Sequence, residues 1–585
     1  MPSNDEGAEG DADGHPAPPI VEPQRPREVP PRTPLGHISE DVAVEIPRNP
    51  PEVPMTVRPR ALSAPTAAPS LAGPAFVALV LAALLAWAPL PAAGQTATPA
   101  TAAPSAAGLS AEEAIATITE ESFYNRLYFI ASDALMGRDT PSPGLEAAAK
   151  YIVSEYKRMG VQPAGEDGTY YQRWPYRQIR TDADAATLEI RGDAGTLAFD
   201  GGSMAVRGAS DEALELGLVA VGAPGDIAGQ ELEGRALVFH HPGELSQQWF
   251  QQANQVANAA GAAGAGAVIL VVDDAMAAEG LPQLRQNFQG AQWRMGWELP
   301  LPQLFVTRSD FAQAVEAAAG DGTLPAGELQ ASLAGELPAE ILVDGRPPNV
   351  VGKIEGSDPE LRDEYMVLSA HFDHIGVTSN PVDGDSINNG ADDNGSGTVA
   401  LMEVARAISE MDEAPRRSIL FVHVSGEEKG LLGSEWFVEQ PTVPLESMVA
   451  SINADMIAGD QHTDTLVVIG KDYSSLGPLV DEINDGMPEL NLTTSDDLWP
   501  EQRFFFRSDQ FHFLRKEIPS LFFFTGVHEC YHAVCDTVDF VDHDKGARIT
   551  RLLAHSVLEI ANADERPQWD PAGLEEVREL TGGGR

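Results

Sequence analysis

From about residue 349 onward the chain alternates between short, unbroken apolar runs and longer amphipathic ones. "EYMVLSA", "RSILFVHVS", "MVASINADMI", "TLVVIG" and "PSLFFFTG" are short and almost uniformly apolar, so they read as buried strands. "GTVALMEVARAISEM", "GLLGSEWFVE" and "LGPLVDEIND" repeat their apolar positions every three to four residues and read as helices. The alternation predicts an α/β fold, a mixed and mostly parallel sheet flanked by helices, which binds ligands at the carboxyl ends of its strands. Upstream, helical periodicity on both sides of a Gly/Pro loop places Leu127, Phe129 and Ile130, then Ala149, Ile152, Val153 and Tyr156, on apolar faces.

Between 185 and 345 the pattern changes. Short apolar strands such as "LELGLVAVG", "GRALVFHH", "VILVVDD" and "PLPQLFVT" surround an Ala/Gly-rich helix, "ANQVANAAGAAGAGA", with turn signals between them. This stretch predicts a small β-rich domain inserted into the larger one, with a structural or substrate-gating role. The larger domain is then read as two pieces, 111–184 and 346–565, with a C-terminal tail at 566–585.

Residues 1–70 are rich in Pro, Ala and acids without a hydrophobic period and read as disordered. "AFVALVLAALLAWA", residues 75 to 88, follows Arg58 and Arg60 and precedes the small residues Ala92 and Gly94. It reads as the apolar core of a signal peptide over 71–94, cleaved before Gln95. Its fourteen residues fall short of the roughly 20 that span a bilayer, so no stable membrane insertion is expected after cleavage, a retained anchor being the alternative. A signal there predicts translation from Met55, with the first 54 residues an upstream extension, and a low-complexity linker over 95–110. A secreted or periplasmic location follows.

Charge and cysteine content narrow the function. Eighty-eight acidic against 38 basic residues, a formal charge of -50, repel phosphates and exclude nucleic acid as a partner. Two cysteines in 585 residues, Cys530 and Cys535, exclude a disulfide framework and a multi-cysteine zinc module. Their short separation lets them close a small disulfide in an oxidising compartment, two buried thiols being the alternative. Any bound metal therefore uses His and carboxylates.

Those residue types stand where the predicted strands end. One strand runs into His371 and Asp373, the next into Glu427 and Glu428 of "SGEEKGLLGS", the next into Asn453 and Asp455, and the last into "GVHECYHAVCDT" with His528 and His532. A Gly/Asn-rich loop adds Asp392 and Asp393. Carboxylates crowded together repel one another unless a cation sits among them, and zinc accepts this ligand set. Two zinc ions sharing one Asp of the loop pair would account for the crowding.

"HFDHIG", "NNGADDNGSG", "GEEKGLLGS", "NADMI" and "YHAVCDT", in that order, resemble the signature of zinc metallopeptidase family 28, the dizinc exopeptidases that include aminopeptidases and glutamate carboxypeptidase. The likeness extends upstream to "FIASDALMGRDTPSPG". The inserted stretch more weakly resembles a protease-associated domain, through "ELEGRALVF" and "AGAAGAGAVILVVDD". The resemblance implies two Zn2+ ions: His371, Asp393 and Asp455 on one, and Asp393, Glu428 and His532 on the other. It selects Asp393 as the bridge by its place three residues before Ser396-Gly397. Asp373 would orient His371 through its second ring nitrogen, Glu427 would be the general base, and Tyr531 would steady the oxyanion. The chain departs from the family pattern at Gln510, where many relatives carry His, and at Ala533 and Val534. His374, His512 and His528 are read as structural or pocket-lining.

A secreted dizinc aminopeptidase acting on peptides is the expected function. Asp383, Asp385, Asp392, Glu427 and Asp509 near the ligands favour a protonated amine, and "RFFF" suggests an apolar pocket for the terminal side chain. Among cations, Lys429, Arg503 and Arg507 keep a glutamate-carboxypeptidase-like alternative in play. A receptor-like module without catalysis and a single-zinc aminoacyl cyclase are the remaining alternatives.

Overall fold

The computed structural model describes residues 108–581, apart from 201, 289, 297–298, 320–323 and 460–462. The expected disorder at 1–70, the signal at 71–94 and nearly all of the linker lie outside the described residues. Among the described residues no helix is long and apolar enough to cross a membrane.

The larger domain is built on a nine-stranded mixed sheet. Four parallel strands form its centre, side by side in the order Ser418–Val424, Tyr365–His371, Met448–Ala454 and Ser520–Phe524. Pro348–Ile354 joins one side antiparallel, and Thr465–Ile469 joins the other. The central strands are buried along their whole lengths, apart from Tyr365 at one strand's start. A strand covered on both faces favours apolar residues on both, which is why these read as near-continuous runs and not as alternating ones.

One face of the sheet is covered by the helices Glu120–Ile130, Pro143–Met159, Gly397–Ser409 and His543–Asn562, which contribute Leu127, Ile152, Val404 and Leu553 to one continuous core. The Pro143–Met159 helix shows how local chemistry sets such an element. Ser142 caps it by accepting from the Leu145 amide, Pro143 occupies the first turn, and Lys157 and Arg158 face the negative end of the dipole. Its buried residues, from Leu145 through Ala148, Ala149, Ile152, Val153 and Tyr156, fall at spacings of three and four. Each large one contributes roughly 1.5–3 kcal/mol by leaving water. Phe129 departs from the sequence expectation. It is 39% exposed and lies on the Tyr151 ring at 4.4 Å, because the buried stripe of its helix runs through Phe123, Leu127 and Ile130. The shorter helices Leu432–Glu439 and Gln510–Arg515 cover the other face.

The inserted stretch forms a second, eight-stranded sheet. Its parallel strands Leu214–Val221, Arg235–His240, Ala267–Val272 and Gln303–Thr307 carry the helices Gln247–Ala262 and Gly280–Phe288 on one face and a separate apolar core on the other. The insertion is thus a mixed α/β unit. It joins the larger domain through a three-stranded sheet of Tyr176–Thr181, Gln292–Met295 and Ala339–Gly345. Tyr176–Thr181 lies ahead of residue 185, so chain on both sides of that boundary takes part in the junction.

Candidate metal centre

His371 is the last residue of a central strand, and its ring is fully buried. Its Nε2 lies 3.3 Å from Asp455 Oδ1 and 3.4 Å from Asp393 Oδ1. The second oxygen of Asp393 turns the other way: Oδ2 is 3.1 Å from His532 Nε2, which is 3.2 Å from Glu428 Oε2. Donor atoms bound at about 2.0–2.2 Å to one tetrahedral ion stand about 3.3 Å apart. The distances from His371 to Asp455 and Asp393, and from His532 to Asp393 and Glu428, have that spacing, and Asp393 turns one oxygen to each histidine.

The local backbone accounts for these positions. Gly390 has φ +58°, and a Cβ there would come 2.3 Å from the Asp393 carbonyl oxygen and 2.5 Å from the His374 ring, so only glycine lets the loop fold back. Asp536 then holds the loop in place. Its two carboxylate oxygens accept from the amides of Asp392 at 2.9 Å and Asp393 at 3.1 Å. Arg138, fully buried, donates to the carbonyls of Ile130, Phe372, Asn389 and Gly390. Burial pulls its pKa down to about 10, against the attraction of Asp536, Asp373, Asp393 and Glu428.

The turn bearing both glutamates is fixed from two sides. Asp373 Oδ2 accepts from the Gly426 amide at 2.7 Å and from Thr140 Oγ1 at 2.8 Å. Trp174 Nε1 donates to Ser425 Oγ at 3.1 Å. Gly426, at φ +80°, packs so tightly under Trp174 that a Cβ would lie 2.7 Å from the ring. The link expected between Asp373 and His371 takes a different form. Asp373 Oδ1 is 3.7 Å from His371 Nδ1, and the nearer atom is the carbonyl of Asp373 at 3.2 Å. Asp455 is held through Oδ2, which accepts from Ser508 Oγ at 2.6 Å. His532 sits in a loop closed by a disulfide between Cys530 and Cys535, the pairing the sequence suggested, and its ring stacks on Tyr531.

The electrostatics call for cations. Burial opposes charge on His371, yet Asp455, Glu427 and other carboxylates raise its pKa well above the usual value. For His532 burial is likewise overcome by Asp393 and Glu428, and its pKa rises to about 10. Burial pushes Glu427 well above the carboxylate range, with Glu428, Asp455 and Asp509 adding repulsion. Among the described residues Asp393 Oδ2 has no hydrogen-bond partner. One buried and one rim imidazole, surplus carboxylates and a carboxylate shared between them form a donor set that fits two zinc ions.

Asp393, Glu427 and Asp455 also form one wall of a cavity whose other walls are Met456, Phe504, Phe522, Phe524 and Val527, with Arg507 and Tyr531 at hand. Arg507 donates to Tyr531 Oη at 3.4 Å and lies over the Phe504 ring. Burial raises the Tyr531 phenol, so it stays protonated.

Several residues weighed in the sequence stand elsewhere. Asp383 and Asp385 are exposed at the hairpin formed by Val377–Val382 and Asp385–Ile387, away from the cavity lining. Asp392 is buried, accepts from the Ala458 amide and faces His528 Nε2 at 3.2 Å. Asp509 is buried, which raises its pKa to about 7. Lys429 pairs with Asp139 at 2.8 Å, Arg503 lies over Phe506, and Gln510 donates to the Phe505 carbonyl. His512 is buried, and burial lowers its pKa to about 3. His374 is closer to the centre than the sequence suggested, with Nδ1 2.7 Å from Glu428 Oε1 and 3.8 Å from Asp393 Oδ2. The signal for it was the second histidine of "HFDH". Arg138, Asp536, Ser508, Thr140 and Trp174 were missed, although Arg138 and Thr140 fall in "FIASDALMGRDTPSPG" and Asp536 falls in "YHAVCDT".

Residues 349–557 match the sequence model of peptidase family M28. A glutamate carboxypeptidase 2 homolog of Caenorhabditis elegans is 38% identical over 128 residues, which cover 21% of this chain and 15% of that protein. Aminopeptidase Y of Saccharomyces cerevisiae is 27% identical over 235 residues, covering 37% of this chain and 39% of the yeast protein. The chain thus spans less than half the length of these curated relatives. An aminopeptidase structure from Aneurinibacillus sp. strain AM-1 aligns with 79% of this chain and 98% of its own at 18% identity and a TM-score of 0.42, too slight a likeness to build on. The likeness to peptidase family M28 is thus carried by residues 349–557, the segment that holds every candidate ligand of the metal centre.

Proposed function

We propose that the protein is a dizinc exopeptidase that removes amino-terminal residues from peptides. The observation that carries this reading is Asp393, whose two oxygens face two separate His/carboxylate triads. His371, Asp393 and Asp455 would hold one zinc, and Asp393, Glu428 and His532 the other. Zinc in such a site supplies Lewis acidity, which acidifies water and polarises a carbonyl.

The chain's own residues do the rest. Glu427 lines the cavity and clusters with His371 and Asp455, but its Oε2 stands 3.9 Å from His371 Nε2, farther than Asp455 at 3.3 Å or Asp393 at 3.4 Å, so its carboxylate is left to take a proton from the attacking water and return it to the departing amine. Tyr531, kept protonated and steadied by Arg507, is placed to donate to the developing oxyanion. His374 and Asp373 are positioning residues, the first bonded to Glu428 and the second to the Gly426 amide.

Direction of attack follows from the cavity walls. The polar wall is carboxylate and suits an ammonium group, and the phenylalanines and Met456 suit an apolar terminal side chain. Arg507 favours a second reading, a carboxypeptidase that grips a free carboxylate. One guanidinium already engaged by Tyr531 and Phe504 falls short of a cationic cluster. The disulfide supports an oxidising, extracytoplasmic location. The insertion is read as a protease-associated-like domain that borders the catalytic turn, supported by Trp293, whose ring lies 4.7 Å from Lys429 Nζ.

The test compares leucyl-p-nitroanilide with its N-acetylated form and with an N-blocked dipeptide bearing a free carboxylate. Hydrolysis of the free-amine substrate alone is expected. Cleavage of the blocked dipeptide alone would reverse the direction and leave the metal centre standing.

A further inference from the structure

The strand Gln292–Met295 presents Trp293 to the catalytic turn, and its next residue, Arg294, lines a different cavity inside the insertion. Successive residues of a strand point to opposite sides, so one short strand serves both. Four elements meet around this second cavity of about 120 Å3. Arg207 ends the strand Met204–Arg207 opposite Gln303, Arg294 comes from the junction strand, and Asn254 and Asn258 lie one turn apart on Gln247–Ala262.

Two guanidinium groups share this space with no carboxylate among its lining residues, and among the described residues neither makes an ion pair. Arg207 is held by neutral groups: Nε and Nη2 donate to Gln303 Oε1 at 3.0 and 2.8 Å, and Nη2 donates to Asn254 Oδ1 at 2.6 Å. It lies against Phe288 and Phe305, which fixes its plane. Arg294 Nε is buried without a hydrogen-bond partner. Burial, and then repulsion by Arg294, pulls the Arg207 pKa down to about 10, and burial lowers that of Arg294. In a chain with 88 acidic residues, two uncompensated guanidinium groups at one partly enclosed site are costly unless something anionic joins them.

We propose that Arg207 and Arg294 form a binding site for a small oxyanion, a phosphate-like ion or a carboxylate. Guanidinium forks match such oxygens in pairs, and side-chain amides can satisfy the remaining ones. At about 30 Å3 per water, the cavity holds one such group with a little solvent. The proposal is independent of the reading of the metal centre.

Isothermal titration of the full chain with inorganic phosphate, before and after zinc is stripped by a chelator, tests it. One phosphate per chain is expected in both states, because this site lies apart from the metal ligands. Arg294→Gln should weaken that binding at least ~10-fold, and Arg294→Lys, which keeps the charge and loses the fork, should fall between. Melting curves of both variants show whether they are folded, and the lysine form serves if the glutamine form is not. Phosphate binding that disappears entirely on chelation, or that is unchanged in folded Arg294 variants, would overturn the site. A blocked peptide with a free carboxyl terminus, against its amide, identifies the source. Displacement of phosphate by the acid alone assigns a peptide carboxylate, and displacement by neither assigns a free inorganic ion; each supports the site.

Discussion

The two large sheets of this molecule share a plan. Each has four parallel strands at its centre, and each gathers histidine and aspartate where those strands end. In the insertion the pair is His240 and Asp273, 3.2 Å apart and partly exposed, with Asp273 Oδ2 also accepting from the Gly243 amide. One carboxylate meets one imidazole and a backbone donor, and solvent does the rest. In the larger domain His371, Asp393, Glu427, Glu428 and Asp455 converge where solvent scarcely reaches, with His532 at the exposed rim, and the carboxylates outnumber their partners. Topology delivers polar side chains to one edge in both. What distinguishes a metal centre is surplus buried charge that the protein's own donors leave uncompensated.

The sharpest way to break that contrast is to remove the shared carboxylate. Asp393→Ala is expected to bring bound zinc below one ion per chain and to cut peptidase activity on the order of 1000-fold, since it removes the carboxylate both zinc ions would share and with it the Lewis acid the reaction needs. Zinc analysis beside initial rates checks it. Next is Glu427→Gln, which lies in the same cluster but outside both triads. It should keep its zinc and lose at least ~100-fold in turnover. Loss of metal in this variant would exchange the roles assigned to Glu427 and Glu428.

A third prediction concerns acid. His423, in the central strand Ser418–Val424, is fully buried with Nε2 2.6 Å from Tyr156 Oη, and burial lowers its pKa from 6.5 to about 3. The folded state keeps the ring neutral, so its contribution is complete above pH 6.5 and is lost as pH falls toward 3, by at most about 1.4 kcal/mol per pH unit. His423→Gln, which cannot titrate, should be less stable than wild type at pH 7, and the gap should narrow by pH 4. Urea unfolding midpoints at the two pH values measure this. The smallest effect belongs to the insertion: Asp273→Asn should change stability by less than ~1 kcal/mol and leave zinc content untouched.

Much of the larger domain was legible because a strand buried on both faces is a mostly apolar run, and the chemistry-bearing residues cluster just past its end. His371, Glu427, Asp455 and His528 all stand at or within four residues of such a strand end. The supports were harder to read. Asp536 acts through its carboxylate on amides 143 and 144 residues away, and Arg138 through carbonyls as far as 252 residues away, so no local period marks either. Asp383 and Asp385 misled for the converse reason. They are near the ligands in sequence, but the hairpin between them carries both out to solvent. The pairing of Arg207 with Arg294 likewise depends on chain segments brought together only by the insertion's fold.

The central claim is that Asp393 joins two triads into a two-metal site. The most direct measurement is the zinc content of the purified, dialysed and active full chain, determined by plasma mass spectrometry against protein concentration. Two zinc ions per chain are predicted, with a site-specific fall in Asp393→Ala. A fully active chain that holds one zinc or none would contradict the account.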